Sequence, residues 1–309
     1  MLTTPLFSER NEHMNGTLLK PDYIATMHEK YHQLLFAYSS YLQDTNIAKI
    51  EIMDGKVLMT TREHGFQFLC NPNDQRTVPI EMLNFGDYEQ NELKGIFNML
   101  STSSTILDIG ANCGFYSLQL ARQYPDSQVY AFEPIPATFE YLQQNLALNH
   151  VTNVTAYNVG LSNQEGTFPV YFYKGGSGNS SLKNLSGHEK VELVECQFRR
   201  LNSYIDEIPG PIDFIKCDVE GAELLVVESG LEVIQRHKPI LFLELLRKWA
   251  AKFNYHPNDV LHILGNLGYR CFVFTAGKMV PIEEINDQTV ETNFIFLHSE
   301  NHASLAGIP

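Results

Sequence analysis

Asp108-Ile109-Gly110-Ala111-Asn112-Cys113-Gly114 is the stretch that decides the fold of this chain. It follows the apolar run Thr105-Ile106-Leu107 and opens an apolar-periodic segment from Phe115 to Gln123. A strand that stops at a small-residue turn and feeds a helix is how a doubly wound α/β sheet builds a ligand crevice. Gly110 and Gly114 lack a Cβ, so the backbone is expected to turn sharply there and to approach a ligand closely. Asp108 adds a carboxylate beside the turn. That charge repels a pyrophosphate and favours a ligand that carries cationic groups, amines or hydroxyls.

Outward from the turn, strand and helix patterns alternate. Strands are expected at 105–109, 128–132, 154–159, 212–217 and 240–245. Helices are expected at 115–123, 136–148, 221–235 and 257–267, with Pro136 suited to a first helical turn. An inserted pair of strands is expected at 167–173 and 191–198. Between them lies Lys174-Gly175-Gly176-Ser177-Gly178-Asn179-Ser180-Ser181, a flexible loop that reads as an ordinary linker or, placed beside the sheet's carboxyl end, as a substrate lid. Residues 269–275 and 293–297 suggest a closing antiparallel pair.

Upstream, residues 1 to about 22 look irregular, and 23–41 have helical spacing with Tyr31, Tyr38 and Tyr41. Packing of that aromatic helix against the sheet domain is the simplest expectation, with dimerisation or cover of the acceptor as alternatives. Residues 47–61 alternate around Asp54-Gly55, a hairpin signal. The chain therefore divides into an N-terminal α+β extension over 1–80, a main domain over 81–300 and a tail over 301–309.

The 309 residues are 44% hydrophobic and 19% charged, ordinary for a globular chain with a large core. A net charge of −14 argues against nonspecific binding to nucleic acid or anionic membrane, both of which need a basic face. No apolar run is long enough for a membrane span, and the polar start lacks a signal-peptide core. Five cysteines without a C-x-x-C pair suit a reduced, cytoplasmic protein with no zinc knuckle.

Glu133 closes the second strand, 23 residues beyond Gly110. An acid at about that distance, roughly 20 residues, accepts from ribose hydroxyls in doubly wound sheets. NAD and S-adenosylmethionine both carry that ribose. The turn lacks the G-x-G-x-x-G spacing, and Asp108 disfavours a pyrophosphate. S-adenosylmethionine has no phosphate; its carboxylate suits a helix N-terminus at Phe115 and its cations suit acids.

At this point the chain resembles the FkbM-type S-adenosylmethionine-dependent methyltransferases. Ile106 to Ser117 is similar to the first motif, and Ala131-Phe132-Glu133-Pro134 with Asn145 to Asn149 to the second. Ile215-Lys216-Cys217-Asp218-Val219-Glu220-Gly221-Ala222-Glu223 resembles the most distinctive block, and Lys238-Pro239-Ile240 through Glu244 the strand after it. The resemblance spans roughly 85–250. It implies a class I, Rossmann-like fold with a seven-stranded, mostly parallel sheet, one antiparallel strand and helices on both faces. It implies that Asp108, Gly110, Ala111, Asn112, Gly114 and Phe115 meet the methionine part of the cofactor. Glu133 then takes the ribose, Pro134 lies beside the adenine, and Asn158, Val159 and Gly160 follow at the adenine. The implied reaction is O-methylation of a small molecule, sugar or natural product, and no residue is assigned to a metal.

An alcohol acceptor needs its proton removed, so Asp218 and Glu220 are the leading base candidates, with Glu244 beside them and His188 weaker. Glu220 and Glu223 equally suit a plain helix N-terminus, Glu244 a solvated strand end, and Lys216 a partner for a nearby acid. His28-Glu29-Lys30-Tyr31-His32 has H-E-x-x-H spacing but lacks a convincing third zinc ligand. A NAD-dependent oxidoreductase, a zinc hydrolase and a non-catalytic cofactor-binding module are the competing readings.

Overall fold

The computed structural model describes residues 5–185, 187, 191–204, 206–275 and 277–305. His188, the weaker base candidate, lies outside them. The central sheet has eight strands: β1 (Thr105–Ile109), β2 (Gln128–Phe132), β3 (Val154–Tyr157), β4 (Phe214–Cys217), β5 (Ile240–Glu244), β6 (Tyr269–Thr275), β7 (Lys278–Ile282) and β8 (Asn293–His298). Their order is β7-β6-β8-β5-β4-β1-β2-β3. Strands β1 to β5 pair in parallel, and β8 runs antiparallel between β5 and β6. Seven strands with one reversed are those expected of the class I fold. The eighth, β7, folds back on β6 past Gly277, whose φ is 75°, and carries Pro281 at the sheet edge.

Alternation along the strands explains why both faces are covered. Leu107 and Ile109 enter one apolar cluster with Val226, Val233 and Leu264, while Ile106 enters the other with Leu118 and Leu142. Those partners place α1 (Phe115–Gln123) and α2 (Pro136–Leu148) on one face. Helices α3 (Glu223–Ser229), α4 (Leu231–His237) and α5 (Pro257–Asn266) lie on the other. A parallel sheet covered on both sides sends its loops to the strand ends, where the crevice must form. Leu118, Leu142 and Val233 are fully buried, and each side chain contributes about 1.5–3 kcal/mol through lost water contact.

The N-terminal hairpin, Ile47–Met53 with Lys56–Thr61, turns through Asp54 and Gly55, both at positive φ. Gln67–Leu69 adds a third strand. The amides of Gln67 and Leu69 donate to the side chains of Asn149 and Asn145 on or next to α2, each at 2.8 Å. Ile47, Phe66 and Phe68 belong to the same cluster as α1, so no break in packing marks the expected boundary after residue 80.

Further upstream two expectations fail. Pro5–Met14 is helical where irregular chain was expected. The aromatic helix forms as Lys20–Met27 and Gln33–Tyr41 with a π-helical turn, His28–His32, between them, yet none of its residues is buried. Tyr38 and Tyr41 remain 42% and 45% exposed, because the hairpin rather than this helix covers α1 and α2. No helix among the described residues is long and apolar enough to cross a membrane.

The inserted strands pair antiparallel as Gly166–Phe172 and Glu192–Arg199, with Gly160–Leu161 parallel to the latter. The glycine-rich loop leaving this small sheet is held on several sides. Ser177 N donates to Asp74 Oδ2 at 2.9 Å, and Gln75 N to the Gly175 carbonyl at 3.1 Å. Ser181 Oγ donates to the Glu220 carbonyl at 2.8 Å.

Candidate active site

Register builds the floor of the site. Asp108 on β1 stands directly beside Lys216 on β4, and both point to the α1 face. Asp108 is fully buried; Ser117 Oγ on α1 donates to its Oδ2 at 2.6 Å, and Lys216 Nζ lies 3.8 Å from its Oδ1. Lys216 also reaches Asp218 Oδ2 at 3.2 Å and the Gly110 carbonyl at 3.3 Å. Burial works against its ammonium, but Asp218, Asp108 and Glu89 outweigh that and raise its pKa. Burial pushes Asp108 up as well, against the pull of Lys216 and Ser117.

The glycines of the turn also serve packing. Gly110 has φ 79°, and a Cβ there would sit 1.8 Å from the Asp218 carbonyl oxygen. Gly114 has φ 91°, and its Cβ would meet Leu142 at 2.6 Å. The turn therefore fits against β4 and α2 so closely that only glycine suits both places.

Above this floor a cavity of about 560 Å³ opens at the carboxyl ends of β1, β2, β4 and β5. Its size falls in the ordinary range of ligand sites. Glu133, 6% exposed, lines it with both oxygens already fixed: Oε2 accepts from Asn112 N and Oε1 from Ile135 N, each at 3.0 Å. Burial still pushes its carboxyl up to about 7. Each oxygen keeps a second lone pair, so a rigid two-point acceptor for vicinal hydroxyls is in place.

Asp218, Glu220 and Glu244 come together at the ends of β4 and β5, with one carboxylate oxygen of each within 4.8 Å of the others. Glu220, at φ 53°, has its Oε2 buried without a hydrogen-bond partner. Burial, then the charge of Asp218, raises both Glu220 and Glu244 far above the usual carboxylate range. Glu220 and Glu244 therefore hold protons into neutral pH, and Lys216 pairs with Asp218. The same three oxygens are a donor set that a hard divalent cation could use.

Gly110, Ala111, Asn112, Phe115, Glu133, Pro134, Gly160, Asp218, Glu220 and Glu244 all line the cavity, as their expected roles require. Asp108, Gly114, Asn158 and Val159 do not. Asp108 lies beneath the floor, and Asn158 Nδ2 ties down the carbonyls of Glu133 and Pro134 at 2.9 and 3.0 Å. Glu223 is buried and caps its own turn, accepting from Val219 N and Gly221 N at 3.1 Å each and from the Tyr255 hydroxyl at 3.2 Å. The helix-terminus alternative therefore describes Glu223, whereas Glu220 faces the cavity.

Residues without a sequence signal complete the wall: Arg76, Tyr88 and Glu89 before the motifs, and Lys248 and Trp249 after β5. None stands in a recognisable pattern, and only position in space joins them. His28 and His32 are exposed on their π-turn with ring centroids 6.5 Å apart. Among the described residues no metal-ligating cluster includes them.

Residues 108–271, more than half of the chain, match the methyltransferase FkbM domain. Methyltransferase sdnD of Sordaria araneosa is 35% identical over 159 residues, covering 42% of this chain and 61% of that protein. Methyltransferase 1 of Beauveria bassiana is 33% identical over 144 residues, covering 41% and 58%. The 2-O-methyltransferase NoeI of Sinorhizobium fredii is 28% identical over 146 residues, covering 42% and 59%. The chain thus spans about three fifths of the length of these relatives.

Proposed function

The chain belongs to the FkbM methyltransferase family, and we propose that it transfers a methyl group from S-adenosylmethionine to a hydroxyl oxygen of a small molecule or glycan. The observation that carries this reading is the juxtaposition in one cavity of a two-point hydroxyl acceptor, Glu133, with the acid cluster Asp218, Glu220 and Glu244. The cavity fits a nucleoside bearing an amino acid better than a dinucleotide. Among the described residues its deeply buried cation, Lys216, is taken up by Asp218, Asp108 and the Gly110 carbonyl, so it is not free for a pyrophosphate. Oxygen as the receiving atom is supported by the 2-O-methyltransferase among the relatives.

Bound there, S-adenosylmethionine supplies an activated methyl on a sulfonium. The protein's part is alignment and proton handling. Glu133, fixed by two backbone amides, holds the ribose hydroxyls and so sets the depth of the methyl in the cavity. The loop over 174–181 and Trp249 wall the acceptor side and limit water. As the acceptor oxygen forms its bond to the methyl carbon, the carbon–sulfur bond breaks and the hydroxyl proton passes to the carboxylate cluster. Asp218, beside Lys216, carries the charge that receives it; Glu220 and Glu244, held protonated, donate to the acceptor's other oxygens and orient it.

Methyl-tritiated S-adenosylmethionine tests this on a panel of hydroxylated glycans and phenols set against matched amines. Label is expected only on acceptors with a free hydroxyl, with one S-adenosylhomocysteine formed per methyl moved. Label on the amines alone overturns oxygen as the receiving atom.

A further inference from the structure

Resting on that reading, we propose that Glu89, contributed by the segment before the matched domain, receives the α-ammonium of the methionine part of the methyl donor. Glu89 lines the same cavity as Asn112, Phe115 and Asp218, although the domain match begins only at residue 108. Its backbone is left-handed, with φ 47°, at the entry to the helix Gln90–Phe97. A non-glycine residue persists in that region only where the surroundings over-determine it, and such residues gather at ligand sites.

What over-determines it is Tyr116, the second residue of α1, whose hydroxyl donates to Glu89 Oε2. Tyr116 in turn packs between Phe115 and Phe242 and carries Lys216 Nζ 5.0 Å above its ring. The Tyr88 side chain hydrogen-bonds Glu89 as well, so two phenols hold its carboxylate, whose remaining lone pairs can still accept from a ligand. Among the described residues no cationic side chain lies within 4 Å of Glu89, since Lys216 is committed to Asp218 and Asp108. Glu89 is thus a half-buried acid with no ion pair among the described residues. Burial raises its pKa, and the carboxylate of Asp218 raises it further. A ligand ammonium would reverse both effects.

Geometry selects the ammonium of an amino acid over other cations. The first amides of α1, at Phe115 to Ser117, are unsatisfied within the helix and suit a carboxylate. Tyr116 belongs to that first turn and also holds Glu89, so acceptor and donor ends for a zwitterion sit side by side. Among the other acids of the cavity, Glu133 is held by its amides and Asp218 by Lys216, whereas Glu220 and Glu244 crowd Asp218 at the acceptor end.

Calorimetric titration with two probes tests this: S-adenosylhomocysteine, and 5′-methylthioadenosine, which lacks the amino acid. Glu89→Gln is expected to lose at least tenfold in affinity for S-adenosylhomocysteine while binding 5′-methylthioadenosine within twofold of wild type. Tyr116→Phe should show the same selective loss, about threefold. Glu89→Gln binding S-adenosylhomocysteine as wild type does, or losing both ligands equally, overturns the assignment of Glu89 alone. Wild-type protein binding neither probe overturns the cofactor reading along with it.

Discussion

Asp108 and Glu244 are carboxylates near the ends of β1 and β5, yet their surroundings have opposite character. Asp108 is fully buried, with a hydroxyl at 2.6 Å and an ammonium at 3.8 Å. Glu244 faces two further acids, Asp218 and Glu220, and its nearest charges are of its own sign. The floor of the cleft pairs its acid with an ammonium; its mouth crowds three acids and stores unfavourable charge. Unsatisfied electrostatics in a cavity mark the place where a ligand or a reaction supplies what the fold does not.

Breaking the floor should cost stability. Gly110→Ala forces a Cβ onto the Asp218 carbonyl at a left-handed φ, and a loss of about 4 kcal/mol or more is expected, enough to prevent soluble expression. Normal thermal stability of that variant would show that β4 can give way. Lys216→Met leaves Asp108 as a buried charge without a counter-charge, at a cost of about 3 kcal/mol. The double variant with Asp108→Asn should regain most of that. If chemical denaturation finds the two changes additive, the pair is not the coupling described.

Breaking the mouth should do the reverse. The folded state holds the Glu244 proton well above the ordinary carboxylate range, so between the two values it binds more protons than the unfolded chain. Stability from this group therefore falls as pH rises through that window. Glu244→Gln removes the penalty: the melting temperature should rise by several degrees at pH 8 and by less at pH 5. Methyl transfer should fall by about 10²-fold if Glu244 orients the acceptor. A variant less stable at pH 8 than wild type would contradict the stored-charge account. Chelator treatment, a smaller test of the same cluster, should change the rate less than twofold; abolition restored by a divalent cation would convert the proton-handling cluster into a metal site.

The smallest effect is expected at the rim. Ser177→Ala removes a 3.3 Å hydrogen bond between the glycine-rich loop and Asn112, worth about 0.5–1.5 kcal/mol. The acceptor KM should rise about threefold with kcat unchanged. An altered kcat would place the loop in the chemistry instead of in closure.

The strand–turn–helix at 105–123 and the alternation after it were legible because period and turn residues act locally. Glu133 was legible from its distance along the chain, and Asp218 from its place at a strand end. The function of the turn glycines was not, since the atoms that exclude a Cβ belong to Asp218 and Leu142, remote in sequence. The register that sets Lys216 beside Asp108 has no local signal in the sequence. Glu89 and Arg76 were invisible for a related reason: they reach the cavity through the packing of the N-terminal segment, which carries no motif. The exposure of Tyr38 and Tyr41 had no signal, since an aromatic face reads the same whether or not something covers it.

Isothermal titration of the wild-type protein with S-adenosylmethionine, and separately with NAD, tests the central claim most directly. One saturable site for S-adenosylmethionine and none for NAD is the predicted result. Saturable NAD binding with no heat from S-adenosylmethionine would contradict it.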